Sequence, residues 1–343
     1  MDKRKKQLIA FETIKVLKSR FDSFPDDTTL TRNAPFHKAF LRAFDDKFTD
    51  LNTNIDSLIN MSSWMHGLNT TLGQSFFENV AHILSCGEKK TFKNNRIYTA
   101  QSNVIFNIMT DLKNNTYTPS VAREESLIAA AAHGEISNAP DFTADCFFED
   151  EHQVVAIELK SVRPNSGEMR GEKQKILSSK TVLKSLYPSK EIHYYFGFPF
   201  DPLSETDTGH NKTDFMNSII ELNKFCAPEE ILIADELWSY LSGEEGSMQD
   251  ILNTIRDISS ATFNNDLNLL CALHSITDSK TQYREIVTKW HIIDELDILD
   301  NWEIISAATR RDIVKYRNAC IFNNDGKYNQ NRANTLLSYI SRQ

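Results

Sequence analysis

No run of about 18 apolar residues occurs in the chain, so no segment reads as a membrane-spanning helix. The opening stretch, MDKRKKQLIAFETIKVLKSRF, carries charges throughout where a secretory signal would need an apolar core. Cysteines are few and give no framework: Cys86, Cys146, Cys226, Cys271 and Cys320 are odd in number and far apart, with no CxxC pair and no Cys/His cluster. They read as reduced thiols of a cytoplasmic protein. Also absent are a GxxxxGK[ST] phosphate loop, a convincing nucleophile elbow and an HExxH zinc motif, so NTPase, elbow-nucleophile and zinc-protease chemistries lack support. Positive charge is scarce overall, with 38 Lys and Arg against 47 Asp and Glu and a net charge of -9. A protein that coats nucleic acid non-specifically needs the opposite balance.

What remains is ordinary globular material: 343 residues, 40% hydrophobic and 25% charged, enough for one large or two modest cores. The first 115 or so residues read as mainly helical. Leu8, Ile9, Phe11, Ile14, Val16, Leu17 and Phe21 form the apolar face of a docking helix, and Phe36, Phe40, Leu41, Phe44 and Phe48 follow another helical face. LGQSFFENVAHIL, residues 72–84, is a further helix, with Glu78 set inside its apolar pattern. A helix from about Ser120 to His133, stopped at Gly134, delivers the chain to a strand hairpin. After the hairpin come a helix from about Glu168 to Leu186, the strand IHYYFGFPF, a helix near 213–225 and a short strand–helix pair in EEILIADELWSYLSG. The fold class expected is α/β, a mixed sheet flanked by helices. A core over 71–245 carries helical additions at 1–70 and 246–343, the last suited to recognition or dimerisation.

The chemistry concentrates in PDFTADCFFEDEHQVVAIELKSVRPNSGEMRGEKQK, residues 140–175. Alternation over Asp141 to Glu149 and the run Val154 to Ile157 predict two strands joined by Asp150 to Gln153. Symmetric pairing about that turn sets Asp145 opposite Ile157 or Glu158. Acid-x-Lys spacing alone means little, because Asp45/Lys47, Glu88/Lys90, Asp111/Lys113, Asp278/Lys280 and Asp325/Lys327 share it. Only Glu158/Lys160 ends an apolar strand with a hairpin-related aspartate upstream. Residues i and i+2 of a strand face one side, so Glu158 and Lys160 point together, while the backbone carbonyl of Leu159 remains available to a cation. Such a set suits a hard cation, Mg²⁺ most simply, held by carboxylates that share it with a phosphate. The cation would activate a water for in-line phosphodiester hydrolysis, with Lys160 positioning that water. The bland alternative is a strand-end Glu–Lys pair beside two turn aspartates.

Between Leu159 and Lys190 eight cations face only Glu168 and Glu172, which suits a cleft for a polyanion or, more simply, a solvated lysine face. Arg163, Asn165, Ser166, Arg170, Lys173 and Lys175 are the candidate DNA contacts, to phosphate or to base edges.

At these residues the chain resembles the PD-(D/E)xK nuclease superfamily, Pro140-Asp141 and Glu158-Leu159-Lys160 matching the two motif halves. The longer string IELKSVRPNSGEMRGEKQKIL, with LGQSFFENVAHIL and ILIADELWSYLSG, is similar to TdeIII-type type II restriction endonucleases over residues 30 to 245 or so. The resemblance implies a homodimer cutting both strands of a short double-stranded DNA site, with GGNCC as the associated sequence. It further implies Mg²⁺ dependence, with Mn²⁺ as substitute, and a companion DNA methyltransferase protecting the same site. It makes Asp141 or Asp145, Glu158 and Lys160 the catalytic set, the acids and the Leu159 carbonyl the metal ligands, and Glu78 an outer ligand from an early helix. Motif letters favour Asp141, whereas hairpin geometry favours Asp145, the preferred ligand. A repair or junction nuclease on the same centre, or a non-catalytic DNA-binding protein on that fold, are the alternatives.

Overall fold

The computed structural model describes residues 1–25, 35–44, 54–160, 166–272 and 275–342. By internal contacts the chain divides into two units, one of Met1 with Phe77–Leu252 and one of Asp2–Phe76 with Asn253–Gln343.

In the second unit, α1 (Lys3–Asp22), α2 (Pro35–Leu41) and α3 (Ile55–Thr71) come from the N-terminal stretch. The Asp2 side chain accepts from the Lys5 N–H and caps α1, satisfying an orphan donor of its first turn. Of the apolar face expected of α1, Ile9, Ile14 and Val16 are buried and Leu8, Phe11 and Leu17 half-buried, while Phe21 near its end is exposed; Ala10 and Ile14 enter a core with Phe263, Tyr283, Trp290 and Leu336. The side chains of Phe36, Phe40, Phe44 and Phe48 lie outside the described residues. Within this unit Cys271 and Cys320 form a disulfide, which corrects the reading of five reduced thiols; the three others are free. Residues 49 apart in sequence are brought to a Cα separation of 4.4 Å, a proximity that spacing alone does not reveal.

The first unit holds α4 (Phe77–Ser85), β1 (Glu88–Phe92), β2 (Arg96–Tyr98), α5 (Thr99–Lys113), α6 (Val121–Ala130), β3 (Ile136–Asn138), β4 (Phe142–Glu149) and β5 (Gln153–Leu159). It continues through α7 (Ser166–Leu186), β6 (Glu191–Phe198), α8 (Lys212–Ser218), α9 (Leu222–Phe225), β7 (Ile231–Ile233) and α10 (Asp235–Ser242). Its five-stranded mixed sheet has the order β1-β4-β5-β6-β7, and β2 and β3 form a separate antiparallel pair. The hairpin pairs Cys146 with Ile157 and Glu149 with Val154, so by extension of that register Asp145 falls opposite Glu158, one of the two partners that turn symmetry allowed. β5 then pairs in parallel with β6 across α7, and β6 with β7, the crossover arrangement read from the sequence. β5 is near-continuously apolar because it is central: Val154, Val155, Ala156 and Ile157 are fully buried.

Two boundaries differ from expectation. The helix expected near 213–225 is split at Ile219–Glu221, where Glu221 takes a positive φ of 61°. The helix predicted to reach His133 ends at Ala130, and Gly134, at φ +90°, turns the chain into β3.

Candidate active site

The end of β5 sets the site. Glu158 is its last buried side chain, and the N–H of Lys160 donates to the Gly197 carbonyl at 2.9 Å, holding the chain against β6 as it leaves the sheet. Across the hairpin, Asp145 Oδ2 accepts from the Leu159 N–H at 3.0 Å, which aims its carboxylate at the Glu158 end of β5. Asp141 is not brought there. It precedes β4, is exposed, and its Oδ1 accepts from the N–H of Asn94, a turn residue at φ 57°. Asp145 is therefore the aspartate that shares the site with Glu158.

Lysines surround the pair. Lys175 Nζ lies 2.6 Å from Glu158 Oε2, Lys160 Nζ 3.4 Å from Glu158 Oε1 and 2.7 Å from Glu172 Oε1. On the far side, Lys89 Nζ reaches both oxygens of Glu78, at 3.1 and 3.0 Å, and Asp145 Oδ1 at 3.3 Å. Glu78 thus comes to the edge of the site through Lys89. Burial first, and the Asp145 charge second, push the Glu158 carboxyl above the ordinary glutamate range, against the pull of Lys175 and Lys160. In the metal-free protein, carboxylate-detected NMR should show Glu158 titrating above an ordinary Glu, and higher still in Lys175→Met, which removes a cation favouring the ionised form. A midpoint that falls in the variant would contradict the pairing.

Among the described residues no group of three or more His, Cys, Asp and Glu is placed to cage an ion. Two opposed carboxylates still fit Mg²⁺, which is commonly held by one or two carboxylates and completes its shell with water and substrate oxygens. Burial first, and the neighbouring Asp145 charge second, disfavour the ionised Glu158 carboxylate, a condition that a divalent cation would relieve.

The expected basic face is largely taken up by ion pairs within the chain, some of them at the surface. Lys173, predicted to touch DNA, is fully buried between Glu124 Oε2 at 2.7 Å and Glu230 Oε1 at 2.6 Å, so it cannot meet a phosphate. Lys175 sits on Glu158, Lys180 on Glu125, and Lys190 on Glu149 at 2.7 Å. Arg170 is exposed, as a DNA contact requires. Arg163 and Asn165, and the side chain of Ser166, lie outside the described residues. Sequence reasoning missed Lys89, dismissed with the chance pair Glu88/Lys90, and Tyr194. The Tyr194 hydroxyl is buried without a hydrogen-bond partner among the described residues, and burial, then the charges of Glu158, Asp145 and Glu172, raise its pKa.

The sequence profile of the HinfI type II restriction endonucleases matches residues 1–259. The chain belongs to that family. It is also 41% identical, over 357 aligned positions, to the type II restriction enzyme MjaII of Methanocaldococcus jannaschii, the alignment covering 97% of this chain and 96% of that one. The chain is thus a type II restriction endonuclease, a site-specific deoxyribonuclease on a mixed α/β core, as its motifs implied. The matched profile is of the HinfI type, whereas the longer motif strings had suggested the TdeIII type. No helix among the described residues of the endonuclease is long and apolar enough to cross a membrane.

Proposed function

We propose that this endonuclease hydrolyses both strands of double-stranded DNA with Mg²⁺ held by Asp145 and Glu158, Mn²⁺ substituting. The observation that carries this reading is the opposition of Asp145 and Glu158 across the β4–β5 hairpin, with Lys160 extending from the same strand end. A divalent ion there would supply Lewis-acid polarisation of the scissile phosphate and acidify the attacking water. The residues do the rest. Asp145 is oriented by the Leu159 N–H, the Leu159 carbonyl is the backbone donor at the strand end, and Lys160, steadied by Glu172, orients the nucleophile and meets charge developing on phosphorus. Glu78 acts as an outer acid, released from Lys89 when the phosphate backbone draws that ammonium away. Action as a homodimer beside a methyltransferase of the same specificity completes the reading, and GGNCC is the first site to try.

The test is incubation of the purified protein with unmethylated plasmid and bacteriophage DNA in Mg²⁺, Mn²⁺ or EDTA. Discrete, metal-dependent fragments are expected, and folded protein that leaves every substrate intact in both metals would end the proposal. Arg170→Ala tests the DNA face. Weaker binding across all sequences, with a salt slope shallower by about 1, is expected of a phosphate contact; relaxed choice at one base position would instead make Arg170 a base reader.

A further inference from the structure

The aspartate at the site owes its direction to an irregularity in the sheet. Along β1 and β4, Phe92 pairs with Phe142, Thr91 with Thr143 and Lys90 with Ala144, yet Glu88 pairs with Phe147. Two steps on β1 are thus opposed by three on β4, a one-residue bulge that contains Asp145 and Cys146. Side chains alternate along a strand, so a one-residue slip moves every side chain beyond it to the other face. The bulge is what lets Phe142 stack on Phe92 and Phe147 meet it edge-on while Asp145 faces Glu158 and not the opposite side of the sheet.

One helix holds that bulge. Glu78, His82 and Ser85 recur at i, i+4 and i+7 along α4 and so share one stripe of the helix. His82 Nε2 donates to the Asp145 carbonyl at 2.6 Å, Ser85 Oγ lies 3.3 Å from Cys146 Sγ, and Gly87 packs so closely that a Cβ there would stand 2.8 Å from the Phe147 carbonyl. A carbonyl cannot donate, so the ring nitrogen facing it carries the hydrogen. Asp145, Cys146 and Phe147 are thus each met from α4 or the turn after it, by His82, Ser85 and Gly87 in that order. His82 makes the contact nearest the carboxylate, and the proposed chemistry does not otherwise use it.

We propose that His82 is a positioning residue for the cleavage reaction: its Nε2–H holds the Asp145 carbonyl in the bulge and so keeps the Asp145 carboxylate turned toward Glu158. This rests on the reading of Asp145 as a metal ligand. Loss of the donor leaves a part-buried carbonyl unsatisfied and lets β4 relax toward regular pairing with β1, which carries the carboxylate away from Glu158. The consequence is specific: weaker metal binding and slower cutting, with DNA affinity intact.

The full chain is compared as native protein, His82→Ala, His82→Gln and Asp145→Asn. Each is measured for melting temperature, Mn²⁺ affinity by electron paramagnetic resonance without DNA, and kcat and KM on unmethylated bacteriophage DNA in Mg²⁺. His82→Ala should lose about 10- to 100-fold in Mn²⁺ affinity and in kcat, the usual effect of removing a group that orients a ligand, with KM for DNA changed less than about threefold. His82→Gln, whose amide can still donate, should recover most of both. A folded Ala variant that binds Mn²⁺ and cuts like the native protein overturns the proposal, and so does a folded Gln variant no better than a folded Ala one. If Ala does not fold, Gln against native decides, a folded but inactive Gln variant being the adverse result. Asp145→Asn with native Mn²⁺ affinity and cutting would instead sink the assignment of Asp145, a result separable from any outcome at His82.

Discussion

Asp145→Asn is expected to lower Mg²⁺-dependent cleavage by about 10²- to 10³-fold or more, the range seen when one preorganised electrostatic partner is removed from a hydrolytic site. Asp141→Asn should cut within a few-fold of the native rate. The two residues are four apart in one segment and share the same chemistry, so the contrast isolates geometry. Asp145 faces Glu158 and takes the Leu159 N–H, whereas Asp141 holds the Asn94 turn from outside the strand. The Asn side chain keeps size and hydrogen-bonding capacity at Asp145 but removes the anionic oxygen that a hard cation needs. Single-turnover cleavage of a plasmid, with Mg²⁺ varied over a wide range, is the measurement. The reverse order, with Asp141→Asn inactive and Asp145→Asn active, would restore the motif letters over the hairpin geometry.

The hairpin could be read because its information is local: an apolar run, a polar turn and an alternation that fixes which residue opposes which. Glu158, Lys160 and the preference for Asp145 all follow from that register. β1 was not legible, since EKKTF is an edge strand whose outward positions are charged and only Phe92 is buried, leaving no alternation to detect. With β1 unseen, the bulge opposite Lys89 and the role of α4 were out of reach, although Glu78 had stood out within the apolar pattern of that helix. The gathering of the N-terminal and C-terminal helices into one unit is a long-range matter that no local pattern encodes. The pairing of Cys271 with Cys320 is of the same kind.

Lys173 is different, because its fate was written in the helix period. Met169, Lys173, Ile176 and Leu177 follow one another at spacings of four, three and one, and all four are buried, which puts Lys173 on the inward stripe of α7 and Arg170 off it. Counting cations along the segment hid this. Inside, burial would lower the Lys173 pKa, but Glu230 and Glu124 beside it hold the ammonium above the ordinary lysine range. Lys173→Met is accordingly expected to cost about 3–5 kcal/mol of stability, the range for removing one member of a buried ion pair and leaving the rest uncompensated. Glu124 is already raised by burial with Lys173 opposing, and without that ammonium it would favour its neutral form more strongly. A carboxyl whose folded-state pKa exceeds its unfolded value stabilises below the unfolded pKa and loses that contribution as pH rises through the folded one. The deficit of the variant relative to native protein should therefore grow from pH 5 to 8, as followed by guanidinium unfolding. A normally stable Lys173→Met with weaker DNA binding and a shallower salt dependence would return the residue to the DNA face. Because α7 also carries Glu172 and Lys175 to the active site, the variant, once refolded at low temperature, should cut more slowly as well. Replacing Lys173, Glu124 and Glu230 together by apolar residues should recover much of the lost stability, since no buried charge then stands alone.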